Sequence, residues 1–206
     1  MNNITPHTLI NTLKNKGYAV FEQGDYNLNI IGIRSTNSKS DKFDDFICVL
    51  YKIYGVWRLK VYNATTDPGK HWLLNPSNPN GTIIMVPGQY RGAFEIGLHG
   101  ISGSYPYEAL RQCKPIAYVR DNDKNLSLNF GLYKNRSNIF FELAFTNIHR
   151  TSAWKRILNI GRYSAGCQVI QDPNDFDEFM GLCHMQVKKS HGKTFTYTLI
   201  EEKDLL

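Results

Sequence analysis

A histidine and a cysteine stand 18 residues apart in this chain, at His149 and Cys167. A thiol serves as a nucleophile when it is reachable, partly ionised and close to N–H donors that can hold an oxyanion. Cys167 follows Ser164, Ala165 and Gly166, whose small side chains leave backbone N–H groups open to a substrate carbonyl, and it precedes a strand-like Gln-Val-Ile. Between Glu142 and Asp172 there is no acidic residue, while Arg150, Lys155, Arg156 and Arg162 all fall in that interval. Such a positive setting should lower the thiol pKa and attract carboxylates. His149 ends a strand-like run and, by alternation, shares a face with Phe141, Leu143 and Phe145, so it also reads as a core histidine. The 18-residue interval favours chemistry, because a loop of that length can leave one strand and return beside it.

Other groups compete for attention. The stretch from Gly88 to Gly100 sets Tyr90, Arg91 and His99 among glycines, which suits either a substrate groove or turns and close strand packing. Arg91 could pair with a substrate carboxylate, and His99 is a rival base. Residues 120–123, Arg-Asp-Asn-Asp, have the oxygen density of a calcium loop without its remaining ligands, and read as a turn. His184 and His191 lack zinc-like spacing, so no metal and no cofactor are expected. Cys48, Cys113 and Cys183 form no CxxC pair and are expected to be reduced thiols.

The elements that must position these groups are mostly strands. Runs rich in β-branched and aromatic residues (18–21, 29–34, 45–62, 82–88, 93–100, 115–123 and 138–150) are separated by turn clusters. They predict a mainly β chain of antiparallel or mixed pairing. Thr5-Pro6 opens a short N-terminal helix that Gly17 stops. Asp172-Pro173 opens a second, whose Phe176, Phe179, Met180, Cys183 and Val187 recur at helical spacing and should pack on the sheet. A final strand is expected over 193–200.

A 206-residue chain with 42% hydrophobic and 20% charged residues is expected to form one domain, 1–206. It contains no apolar run long enough to span a membrane, and its opening residues lack a secretory pattern. The charge of +6 suits an acidic partner, but the basic residues are interspersed with acids, which argues against a nucleic-acid arm.

The compound pattern of Ile148-His149, a loop returning at Ile160-Gly161, and Ser164-Ala165-Gly166-Cys167 resembles the L,D-transpeptidase (YkuD-like) catalytic family over residues 145–180. Three positions depart from that family: Ala165 stands for a histidine, Val169 for an arginine and Arg150 for a glycine. The remainder, including 88–94 and 119–123, is similar to bacteriophage and prophage proteins. The resemblance implies a β-sandwich-like fold in which Cys167 attacks a peptidoglycan stem peptide, with His149 as base and the backbone carbonyl of Arg150 orienting its imidazole. The N–H groups of Ala165, Gly166 and Cys167 would form the oxyanion hole, and Arg162, Tyr163 and Ser164 would line the substrate path beside Tyr90, Arg91 and His99. A phage-like chain without an export signal is expected to act on the cell wall after release or delivery, by hydrolysis in preference to crosslinking, and as a monomer. A wall-binding module without activity is the other outcome to be tested.

Overall fold

The computed structural model describes residues 4–101 and 105–205. Eleven strands and three α-helices are present among them. Helix α1 spans Pro6–Asn15 and is followed by β1 (Asn29–Arg34), β2 (Asp45–Ile53), β3 (Val56–Thr65) and the short α2 (Lys70–Leu74). Then come β4 (Thr82–Met85), β5 (Gly88–His99), β6 (Tyr107–Gln112), β7 (Ile116–Asp121), β8 (Phe140–Glu142), β9 (Ile148–Arg150) and β10 (Gln168–Ile170). Helix α3 (Pro173–Lys188) and β11 (Thr194–Glu201) complete the order.

Eight strands pair in a ring, β1-β11-β5-β6-β9-β10-β3-β2, and the closing β1–β2 pair makes the sheet barrel-like; β4, β7 and β8 form a separate three-stranded sheet. Two of the ring's contacts, β1–β11 and β9–β10, are parallel and the rest antiparallel. The chain is therefore mainly β with mixed pairing. The sheet-rich fold is as expected, and its hydrogen bonding runs around a barrel-like ring in which the first strand joins the last across the chain.

The helices form where their end signals lie. Thr5 caps α1 through its side-chain oxygen, and Asp172 caps α3 with Pro173 in the first turn. Leu9 and Leu13 of α1 cover Ile31 and Ile33 on one face of β1, while Ile30 faces the main core, so all six residues of that strand are buried. Phe176, Phe179, Met180 and Cys183 of α3 join the main core with Leu110 of β6, Ile148 of β9 and Ile170 of β10. Helix α3 is thus the apolar backing of β9, which carries His149, and of β10, which Cys167 immediately precedes. Burial of Cys183 in that core pushes its thiol far from reactivity.

Three local expectations change. Residues 18–21 form no strand; the backbone of Ala19 is bonded to the side chain of Gln89. The run 138–150 is not one strand: Phe145 has φ 56°, and the chain turns from β8 in the small sheet to β9 in the ring. His149 therefore does not alternate with Phe141, Leu143 and Phe145, all of which are exposed. Strand β6 has an apolar pattern interrupted by Glu108, Arg111 and Gln112, and composition alone does not reveal it.

Candidate active site

The parallel pairing of β9 and β10 sets Gln168 opposite Ile148 and Val169 opposite His149. By alternation, Ile148 and Ile170 face the α3 core, whereas Asn147, His149, Cys167 and Val169 share the opposite face. His149 and Cys167 thus lie on one surface, and the hydrogen-bond partner of the sulfur there is the Asn147 N–H. The contact between β6 and β9 is narrow, with one register pair at Leu110–Ile148. Beyond it, the side chain of Asn147 continues the ladder by accepting the Gln112 N–H at 3.1 Å.

His149 is 4% exposed. Its Nδ1 lies 2.8 Å from the carbonyl oxygen of Arg150, and a carbonyl only accepts, so Nδ1 carries the proton. Nε2 is then left with its lone pair, the state a general base requires. The Tyr107 hydroxyl donates to the same carbonyl at 3.2 Å and sits 3.4 Å from Nδ1. Burial above all, with contributions from His99 and the Arg150 charge, drives His149 down to about 3.

The Sγ of Cys167 accepts the Asn147 backbone N–H at 3.5 Å. Burial pushes this thiol up to about 11, and the Asn147 N–H only partly offsets that. The expectation that neighbouring cations lower the thiol pKa is overturned: Lys155, Arg156 and Arg162 are exposed to water, which screens them, while desolvation acts on the sulfur directly. At rest the pair is a neutral thiol and a neutral imidazole.

The loop from Thr151 to Gly166 is tied down from three directions. Asp41 accepts the N–H of Gly161 at 2.5 Å and the amide of Asn159 at 3.2 Å, the indole of Trp72 donates to the Arg162 carbonyl, and the N–H of Gly69 donates to the Ser164 carbonyl. Ser164 is fully buried and belongs to the loop's own framework, not to a substrate path: its hydroxyl donates to the Cys167 carbonyl at 2.8 Å and accepts the Gly166 N–H at 3.1 Å. That bond also takes the Gly166 N–H away from an oxyanion hole. Among the described residues, the N–H groups of Ala165 and Cys167 engage no protein acceptor. Gly166 itself has φ +120°, and a Cβ there would lie 2.7 Å from the backbone oxygen of Ile83, so no other residue fits that turn.

The thiol opens into a cavity of about 150 Å³ lined by Ser77, Thr82, Arg120, Phe145, Ala165 and Cys167 among others. Arg120 donates to the Gly81 carbonyl, which holds its guanidinium at the cavity wall. The sequence at 120–123 had drawn attention for its acids, yet Asp121 and Asp123 spend their oxygens on loop N–H groups, and the arginine is the member that reaches the site. Tyr107 and Arg150, which contact His149, line a groove of about 580 Å³ together with Tyr105, Ser152 and Trp154. The Arg150 guanidinium stacks 4.1 Å over the Tyr107 ring.

His99 belongs to the site, its ring stacked on that of His149 with centroids 4.1 Å apart. Tyr90 and Arg91 do not. Tyr90 is buried with its hydroxyl held by the Val86 and Ala117 carbonyls, and Arg91 lies over Phe21 beside a separate cavity. The side chains of Arg162 and Tyr163 are exposed on the anchored loop. Asn147, Gln112 and Tyr107 have no signal in the sequence, because only the ring of strands gathers them, and Arg120 reaches the cavity from β7 of the small sheet.

Among the described residues, no three His, Cys, Asp or Glu side chains are grouped to hold a metal ion, and no helix is long and apolar enough to cross a membrane. No protein-family model matches the chain, and neither does any curated protein or solved structure.

The buried neutral imidazole has a consequence for stability. Between pH 6.5 and about 3 the unfolded chain protonates His149 and the folded chain does not, so this group's contribution is full above pH 6.5 and is lost as pH falls. Buried carboxyls such as Asp45 have raised values and act in the opposite sense, so the effect must be read as a difference. Urea unfolding of wild type and His149→Gln should show the wild-type advantage shrinking from pH 7 to pH 5. A constant difference would contradict a buried neutral His149.

Proposed function

We propose that this protein is a cysteine enzyme that cleaves peptidoglycan stem peptides through an acyl-enzyme at Cys167, with water as the acyl acceptor and an L,D-transpeptidase-like site. One observation carries the reading: His149 is locked with its proton on Nδ1 by the Arg150 carbonyl, on the strand beside the one that follows Cys167 and on the same face. That is the arrangement of a base held in the tautomer that can take a thiol proton.

In the proposed reaction, the S–H bond breaks as its proton passes to Nε2 of His149, and the sulfur attacks the peptide carbonyl. The N–H groups of Ala165 and Cys167 hold the oxyanion, each worth about 3 kcal/mol in hydrolases of this kind. Collapse of the tetrahedral species expels the amine, which takes the proton from His149. Water, deprotonated by His149, then attacks the thioester and frees the thiol. A substrate carboxylate would pair with Arg120 in the small cavity, while the rest of the peptide follows the Tyr107–Trp154 groove.

The neutral resting pair supports a second reading, a wall-binding module without turnover, since neither group is charged in advance. Incubation with purified sacculi and mass analysis of the soluble fragments separates the readings. Peptides that have gained one water, absent with Cys167→Ala, are the expected result. New crosslinked dimers without such peptides would assign transpeptidation, and retention on sacculi with no product would assign the binding module.

A further inference from the structure

His99 sits closer to the candidate base than a bystander needs to, and its hydrogen bonding determines its protonation. The Oδ1 of Asn147 accepts the Gln112 backbone N–H at 3.1 Å, which fixes the orientation of the carboxamide. Its Nδ2, a donor only, then faces Nδ1 of His99 at 3.1 Å. The Nδ1 of His99 must accept, so its single proton is on Nε2. His149 is locked in the opposite tautomer by the Arg150 carbonyl. The two rings lie nearly parallel, 18° apart.

This asymmetry separates the two histidines chemically. His149 can receive a proton on Nε2 without losing its bond to Arg150. Protonating His99 at Nδ1 would set an N–H against the amide hydrogens of Asn147 and break a bond. The same Asn147 gives its backbone N–H to the Cys167 sulfur, so one residue fixes the ring that backs the base and touches the nucleophile.

We propose that His99, clamped by Asn147, is the positioning residue of the catalytic base: a ring that fixes the plane of His149 and faces the positive charge it gains from the thiol. It does not accept the thiol proton itself. The groups facing the stacked pair are Tyr107 and Arg111 from β6, Asn147 just before β9 and Arg150 from β9. Both arginines discourage a second positive charge, which leaves a stacked neutral ring as the partner an imidazolium can tolerate. Desolvation, then Arg111, keeps His99 below its ordinary value, in keeping with that role.

The proposal rests on the reading of His149 as base, and two measurements keep the two separable. Nitrogen-15 NMR of the histidine rings needs no substrate. His99 should hold the Nε2–H tautomer and His149 the Nδ1–H tautomer from pH 5 to 8, and a His99 that titrates in this range, or carries its proton on Nδ1, overturns the clamp. The second measurement is the rate of Cys167 acylation by a carbapenem as a function of pH. His99→Ala should slow acylation by about tenfold to a hundredfold and shift its pH profile, through loss of a wall that sets near-attack geometry. His99→Phe, which keeps the ring without a titrating group, should restore most of the rate and the pH profile. Equal loss in both variants would make His99 a proton-transfer group, and no loss in either would make it a bystander; each result refutes the proposal. If wild type is not acylated at all, the functional reading fails while the tautomer result still judges the clamp.

Discussion

Replacing Cys167 by alanine is expected to lower peptide release from sacculi by about ten-thousandfold or more, while the fold persists. In the proposed mechanism the covalent intermediate forms on this thiol, so its removal would leave only the binding and oxyanion contributions. Those donors belong to the loop backbone and survive the substitution, because the Ser164 hydroxyl bonds the residue-167 carbonyl and not the side chain. His149→Ala should cost a similar amount, and the double variant should be no slower than either single one, since nucleophile and base act as a unit. Steady-state release assayed with circular dichroism on the same samples checks this. Additive losses would mean that His149 and Cys167 serve separate steps.

The second large effect is structural and lies beneath the site. Arg34 is fully buried, with Nε 2.9 Å from an Asp67 carboxylate oxygen and 3.1 Å from the Thr66 hydroxyl, while its terminal nitrogens donate to the Met85 and Thr66 carbonyls. Asp45 accepts from the N–H and hydroxyl of Thr66, and burial with the nearby Asp67 pushes it up to about 8. This group ties β1, β2, the end of β3 and the small sheet together; the same Thr66 carbonyl receives the side chain of Gln168, next to the nucleophile. Arg34→Leu should destabilise the protein by about 3–5 kcal/mol, because it strands two carboxyls in a dry interior. The deficit should be smaller at pH 5 than at pH 8, since carboxyls with raised values cost the folded state as pH rises toward them. Chemical denaturation at both pH values measures it, and a deficit below about 1 kcal/mol would mean the guanidinium is no keystone.

How much of this was legible in the sequence follows from the range of each interaction. Thr5-Pro6 and Asp172-Pro173 marked both longer helices, because capping is a matter of three or four neighbouring residues. Cys167 and His149 stood out because a small-residue loop and a strand end are also local signals. Closure of the sheet was not legible: it depends on β1 pairing with β11, and no local pattern encodes that partner. The thiol pKa is not legible in the sequence for a related reason. Counting cations along the chain places Lys155, Arg156 and Arg162 near Cys167, but only the fold shows that burial dominates at the sulfur. Tyr90 is a candidate substrate contact for its place among glycines and Ser164 for its place in the motif before Cys167; in the folded chain both hydroxyls are consumed by backbone partners. Asn147 is not legible because its importance lies in contacts with Gln112 of β6, His99 of β5 and Cys167 of the loop before β10.

The most direct test of an acyl-enzyme at Cys167 is the intact mass of the folded protein after exposure to a carbapenem, followed by peptide mapping of the adduct. A single addition on the peptide containing Cys167, formed far more slowly in His149→Ala, is the result this account predicts. A folded protein that gains no mass, or gains it on Cys48, Cys113 or Cys183 while Cys167 stays free, would contradict it.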